Sequence, residues 1–221
     1  MSVTAVIFDY GNVLSAPADA VSHQALVDIC GLDPATFDLH YWANRHAYDG
    51  GILVGETYWR KIAAETGIVL TLEDIAELIR HDVLMWTSLN QAMVTWAQAV
   101  RQAGFRTGIL SNICTELVSA MEKQFLWVND FDHRIWSCRV RLAKPNPAIF
   151  QYALTQFCLP PEEILFIDDR EENVLSARTH GYQAITFQTI RQLDFELESL
   201  GMFELLAILR SCADCRLSEI R

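Results

Sequence analysis

An apolar run that ends in a carboxylate constrains this chain more than any other feature. Residues 3–8 are apolar apart from Thr4 and lead straight into Asp9, with Gly11 two positions further on. A short continuous apolar run reads as a strand buried on both faces, as in a parallel sheet. An acid at its end sits where open α/β sheets gather their ligands, outside the carboxyl ends of the strands. A carboxylate there is costly unless paired, solvated or bound to metal. Asp9 is therefore a candidate for chemistry, and its partners are sought at the ends of the other strands.

Four further runs have strand character: 107–110, 135–137, 164–167 and 184–187. From the second run onward, helical patterns alternate with strands. Residues 91–103 carry Met93, Trp96, Ala97 and Val100 at helical spacing and stop at Gly104. Residues 147–157 begin with Pro147 after Asn146, a capping residue followed by a first-turn proline. Residues 172–180 stop at Gly181. The alternation predicts an α/β fold, a Rossmann-like parallel sheet with right-handed crossovers and helices on both faces. The stretch between the first two strands is too long for a simple crossover. It carries helical patterns at 18–30, 34–48, 56–66 and 72–84, and no strong strand. An α-helical cap over residues 16–88 is expected, inserted into an α/β core made of 1–15 and 89–221. Residues 191–200 and 202–210 read as two closing helices.

Polar groups gather at the strand ends. Asp9 ends the first, Ser111-Asn112 the second and Asp168-Asp169 the fourth, while Lys144-Pro145 opens the helix before the fourth. In a parallel sheet these ends share one rim. Three carboxylates meeting there repel one another unless a cation sits among them. An oxygen-only ligand set suits Mg²⁺, which takes few protein carboxylates and completes its shell with water and phosphate. The alternative for any single acid is a helix cap or an arginine pair, but acids and polar groups at successive strand ends favour a shared site. Lys144 is one of only three lysines.

These motifs resemble the haloacid dehalogenase-like (HAD) hydrolase superfamily, most closely its capped phosphatase-like subfamily. Phe8-Asp9-Tyr10-Gly11-Asn12-Val13-Leu14 is similar to the first motif and Ile109-Leu110-Ser111-Asn112 to the second. Lys144-Pro145-Asn146-Pro147-Ala148-Ile149-Phe150 is similar to the third, and Phe166-Ile167-Asp168-Asp169 with Asn173 to the fourth. The resemblance implies that Asp9 is a nucleophile forming an aspartyl-phosphate. It implies Mg²⁺ held by Asp9, Asp168, Asp169 and the Gly11 carbonyl. Ser111 and the Asn112 amide would bind phosphoryl oxygens, and Lys144 would neutralise charge between Asp9 and the phosphoryl group. Asn173 would orient a carboxylate or cap its helix.

One departure matters. Most phosphatases of the superfamily carry a second aspartate two residues after the nucleophile, as acid and then base; here that position is Gly11. Losing such a group typically costs ~10²–10⁴-fold. A good leaving group, or a proton supplied by the cap, would compensate. Dehalogenases also lack that aspartate and need no metal, but a metal-free site has little use for the pair Asp168-Asp169. A third reading is a catalytically weak binding or regulatory domain.

Substrate choice is expected in the cap, where Tyr41, Trp42, Arg45, His46 and Tyr48 form an aromatic and basic cluster before Asp49-Gly50-Gly51. Tyr41, Arg45 and Tyr48 share one helix face. They read either as a lid over a sugar or other small phosphorylated metabolite, or as the cap's own core with Arg45 paired to a local acid. Trp59 and Arg60 follow in the next helix; Trp86 and Trp96 read as core. Gly50-Gly51 reads as a hinge or as two helix stops. A net charge of −11 argues against nucleic acid or an anionic membrane as partner. No run approaches ~18 uncharged apolar residues. The N-terminus lacks a secretory pattern, and the scattered cysteines read as reduced thiols, so a cytoplasmic location is expected. Cys212-Ala-Asp-Cys215 has redox spacing but lies far from any strand-to-helix turn. The expected state is a monomer or homodimer.

Overall fold

A computed structural model describes residues 3–212. Five parallel strands, β1 (Ala5–Phe8), β2 (Arg106–Ser111), β3 (His133–Trp136), β4 (Ile164–Asp168) and β5 (Gln183–Thr186), form one sheet in the order β3-β2-β1-β4-β5. The two strands that end in acids, β1 and β4, are neighbours at its centre. β1 is buried along its whole length. Its side chains alternate: Ala5 and Ile7 join one apolar cluster, Val6 and Phe8 the other. That period of two lets each strand hold helices on both faces. All five runs read from the sequence are strands, with ends shifted by one or two residues.

Between β1 and β2 lie α1 (Ala20–Cys30), α2 (Pro34–Asp49), α3 (Gly55–Thr66), α4 (Leu72–Met85) and α5 (Gln91–Gln102). Local chemistry sets the ends of the first four. The Asp19 and Asp33 carboxylates accept from the N–H groups of Ser22 and Thr36 and cap α1 and α2. Thr71 and Asp74 form a reciprocal capping box on α4. Gly31 and Gly67, both left-handed, stop α1 and α3. The α1–α4 insert holds an aromatic core of Phe37, Tyr41, Tyr48, Tyr58 and Trp59, all fully buried. Tyr48 and Tyr58 stack with centroids 4.4 Å apart. This core runs on into the one under the sheet.

The rest of the chain adds α6 (Thr115–Gln124), α7 (Ser137–Val140), α8 (Pro147–Phe157), α9 (Glu171–Thr179), α10 (Ile190–Ser199) and α11 (Phe203–Ser211). The sequence reading lacks α6. Cys114 precedes it without a side-chain cap, and no glycine or proline closes it. Packing makes it a helix: Leu117, Val118 and Met121 are buried on one face. No helix among the described residues is long and apolar enough to cross a membrane. The Cys212–Cys215 pair falls partly outside the described residues, since Cys215 is not among them.

Gly50-Gly51 marks where the insert meets the core. Gly51 has φ +71°, and a Cβ there would collide with the backbone carbonyl of Cys138 in α7. Gly51→Ala is expected to destabilise the fold by about 2 kcal/mol, because backbone strain and backbone overlap act together. The denaturation midpoint checks this; an unchanged midpoint would mean that the contact yields freely.

Candidate active site

The site begins where β1 stops. Asp9 donates its N–H to the Ile167 carbonyl of β4 (2.8 Å), which ties the end of β1 to its neighbour. Its side-chain Oδ1 accepts from the Tyr10 N–H (2.7 Å) and from Lys144 Nζ (2.9 Å). Both bonds fall on Oδ1, leaving Oδ2 for an electrophile or a cation. The chain then turns tightly over Tyr10–Leu14, with Asn12 at φ 55°. The turn carries Asn12 Nδ2 to Asp169 Oδ2 (2.8 Å).

Lys144 is the hub. It is 2% exposed, and Nζ donates to Asp9 Oδ1, to Asp168 Oδ2 (2.6 Å) and to the Leu110 carbonyl (2.8 Å). Its three protons thus meet three acceptors. Its main chain is held in register by Asn112, which donates from Nδ2 to the Lys144 carbonyl and accepts the Lys144 N–H at Oδ1, each at 2.8 Å. The Asn112 side chain is therefore a clamp on Lys144. With the side chain so engaged, the main-chain amide of Asn112 is the candidate contact for phosphoryl oxygens. Ser111 is buried beside it at the end of β2.

The two acids at the end of β4, Asp168 and the Asp169 that follows it, differ. Asp168 is fully buried; Oδ2 takes Lys144, and Oδ1 takes the Arg170 N–H and Asn173 Nδ2, both 2.9 Å. Asp169 is half-buried and accepts from Asn12. Of the two, Asp169 keeps the more open lone pairs. Oxygens of Asp9, Asp168 and Asp169 all lie within 4.8 Å of one another.

The electrostatics say what this rim lacks. Burial pushes the Asp9 carboxyl up to about 7; Lys144 opposes that, and Asp168 and Asp169 add to it. Burial also raises Asp169, with Asp168 adding to it. On Lys144 burial acts downward, but Asp168 and Asp9 outweigh it and hold the ammonium above the usual lysine value. One ammonium serves three carboxylates, so negative charge is in excess. An oxygen-only set with surplus charge fits a divalent cation such as Mg²⁺.

A cavity of about 730 Å³ opens over the rim. Asp9, Gly11, Ser111, Lys144 and Asp169 line it from the sheet side, and Trp42, Arg45, His46, Asp49 and Trp86 from the insert. Tyr41 and Tyr48, expected in a substrate lid, are absent from its walls. Both are fully buried in the insert, where the Tyr41 hydroxyl donates to Asp82 (2.6 Å) and Tyr48 stacks on Tyr58. Their helix face turns toward α3 and α4. Arg45 does both jobs: its guanidinium lies 5.2 Å from each of the Tyr41 and Tyr48 ring centroids, pairs with Asp49 and Asp82, and reaches the cavity wall. Trp59 is core, as is Trp96, whereas Arg60 is a surface partner of Glu56. Trp86 lines the cavity. The stripe on the cavity is Trp42, Arg45, His46 and Asp49, at spacings of three, one and three, which also defines one helix face; its first three residues belong to the cluster expected from the sequence, and Asp49 does not. Polarity favours this stripe over the one through the two tyrosines.

The chain belongs to the haloacid dehalogenase-like hydrolases, whose family profile matches residues 3–181. It is 27% identical to bifunctional epoxide hydrolase 2 of Sus scrofa over 93% of this chain, but it spans only 40% of that relative's length. It is 31% identical to haloacetate dehalogenase H-2 of Moraxella sp. over 47% of this chain and 45% of that one. A solved structure of a HAD family enzyme from Bacteroides thetaiotaomicron, in complex with magnesium and inorganic phosphate, superposes with a TM-score of 0.71. That pair shares 19% identity and covers 85% of this chain and 95% of the other.

Proposed function

We propose that this chain hydrolyses a small phosphomonoester through an aspartyl-phosphate on Asp9, with a sugar phosphate the first class to test. The observation that carries the reading is the cluster of three carboxylates, closed by one buried lysine, beneath a cavity that Asp9, Lys144 and Asp169 line. The magnesium and phosphate in the neighbour's structure support it. Asp9, Asp168, Asp169 and the Gly11 carbonyl would hold Mg²⁺, which supplies neutralising charge for phosphoryl oxygens. Asp9 Oδ2 attacks phosphorus in line, and the leaving oxygen departs toward the insert. Lys144 holds Asp9 Oδ1 and so aims Oδ2. The Ser111 hydroxyl and the main chain that follows it bind the transferring oxygens. Residues 16–88 act as the cap that excludes bulk water, over a core of 1–15 and 89–221.

The test is phosphate release from sugar phosphates, acyl phosphates and p-nitrophenyl phosphate, with Mg²⁺ or with EDTA. EDTA is expected to lower release by at least about 10²-fold, with full recovery on added Mg²⁺, as befits a metal that neutralises developing charge. Release indifferent to EDTA would sink the metal assignment. A second reading, 2-haloacid dehalogenation, is favoured by Gly11, which leaves no acid beside the nucleophile. Halide release from 2-haloacids, unchanged by EDTA and without phosphatase activity, would put it in place of the first.

A further inference from the structure

Hydrolysis of an alkyl phosphate needs a proton for the departing oxygen, then a base for the attacking water. The sheet side of the cavity offers neither. Asp9 is the nucleophile, Lys144 gives its three protons to fixed acceptors, Asp168 takes three hydrogen bonds, Asp169 accepts from Asn12 and is assigned to the cation, and position 11 is glycine. Arg170 and Glu172, at the start of α9, pair with each other at 2.6 Å on the surface. The ionisable groups that line the cavity from the insert are Arg45, His46 and Asp49.

Among these, Asp49 is held in place. It is the last residue of α2, its side chain is 14% exposed, and Arg45 Nε reaches both its oxygens at 3.0 and 3.1 Å. Its backbone carbonyl accepts from Ser137 Oγ (2.5 Å), and the same Oγ accepts the N–H of Ile113 (2.8 Å). Ile113 directly follows Ser111-Asn112. Two hydrogen bonds therefore fix Asp49 relative to the phosphate-binding turn, and the tight seat of Gly51 on Cys138 fixes the same corner. His46 has no such anchorage and is exposed.

We propose that Asp49 is the proton-transfer residue of this site. Its carboxyl gives a proton to the leaving oxygen as the P–O bond breaks and the bond from Asp9 to phosphorus forms. The resulting carboxylate then takes a proton from the water that attacks phosphorus. The Asp9–phosphorus bond breaks, and inorganic phosphate leaves with Asp9 restored as a carboxylate. The inference rests on the phosphatase reading above.

The surroundings suit a group that gains and loses a proton. Arg45 is one cation between two carboxylates, Asp49 and the fully buried Asp82. When Asp49 takes a proton, Arg45 keeps its pairing with Asp82. Burial pushes the Asp49 carboxyl up to about 6 against the pull of Arg45. The other groups that face it are His46 on its own helix, Asp82 from α4, Tyr58 from α3, and the thiols of Cys114 and Cys138.

The test compares wild type, Asp49→Asn and the double variant Asp49→Asn/Gly11→Asp on an alkyl phosphate and on p-nitrophenyl phosphate, in stopped flow and at steady state. Gly11 has φ −61°, and a Cβ there meets nothing within 4 Å, so a side chain can begin at this position without backbone strain or a clash at Cβ. Asp49→Asn is expected to slow the alkyl phosphate ~10²–10⁴-fold with no burst. On p-nitrophenyl phosphate, whose leaving group departs unprotonated, it keeps a burst of one nitrophenolate per site, followed by slow turnover. Gly11→Asp in that background restores at least about tenfold on the alkyl phosphate, since it supplies the same kind of group. Equal losses on both substrates without a burst, or no rescue, would overturn the assignment in favour of a structural role. A wild type that hydrolyses no phosphomonoester overturns the phosphatase reading itself, and this proposal with it.

Discussion

On the proposed phosphatase reading, Asp9→Asn is expected to cut phosphate release by at least about 10⁴-fold in kcat while leaving the protein folded, because the proposed nucleophile would have no substitute in a stepwise transfer. The asparagine keeps the shape of the side chain. Its carbonyl oxygen still accepts from the Tyr10 N–H and from Lys144, the two bonds that Oδ1 receives now. What disappears is one of three negative charges that one buried ammonium serves. Two effects of opposite sign follow. Chemistry is lost, and the cost of burying a carboxylate there, which with repulsion from Asp168 and Asp169 lifts the Asp9 carboxyl to about 7, is relieved. In EDTA the variant should therefore melt no lower than wild type, and the rise in melting temperature on adding Mg²⁺ should shrink, since one ligand is weaker. That pairing of dead enzyme and undiminished fold is the signature of a group kept for function at the expense of stability. A marked drop in melting temperature would instead make Asp9 part of the structural scaffold. Phosphate release within tenfold of wild type would remove it as nucleophile.

The strand ends were legible because each carries two independent signals, an apolar run and a polar residue that the run has no reason to tolerate. Asp9, Ser111 and Asp168 sit at three such ends, and the parallel register brings them to one rim. Lys144 lies on no strand. Its place came from rarity and resemblance, and the structure adds the Asn112 clamp that holds it there. The insert was harder to read. Tyr41, Arg45 and Tyr48 do share a helix face, but periodicity gives only the face and not its direction. α3 and α4 took the aromatic side, and the neighbouring stripe through Trp42, His46 and Asp49 was left for the cavity. Asp49 offered no local signal at all. Before two glycines it reads as a helix end, and its position depends on Ser137, 88 residues away in sequence. The helix α6 was missed for a related reason. It has neither a side-chain cap nor a stop, so tertiary burial decides it.

Lys144→Met is expected to destabilise the fold by about 3–5 kcal/mol at neutral pH, the range for removing one partner of a buried ion pair. Methionine keeps the length and apolar stem of the side chain, so little packing is lost. The change leaves Asp9 and Asp168 facing each other without the ammonium that bridges them at 2.9 and 2.6 Å, and the Leu110 carbonyl loses its donor. The pH dependence has a definite sign. Lys144 is the group that pulls the Asp9 carboxyl down, so its removal lifts that carboxyl further above about 7 in the folded state. The unfolded chain titrates near the ordinary aspartate value of about 4. Between those two values the folded variant holds a proton that the unfolded chain does not, so its stability rises as pH falls. Urea midpoints should therefore show the deficit relative to wild type largest at pH 8 and smaller at pH 5. A deficit that does not vary with pH would assign the loss to packing or to the Leu110 carbonyl. Mg²⁺ is expected to recover part of the stability, since a divalent cation among the same oxygens replaces the missing charge. It is not expected to recover turnover, because the metal replaces the charge of Lys144 but not the hydrogen bonds by which Nζ fixes Asp9 Oδ1 and Asp168 Oδ2.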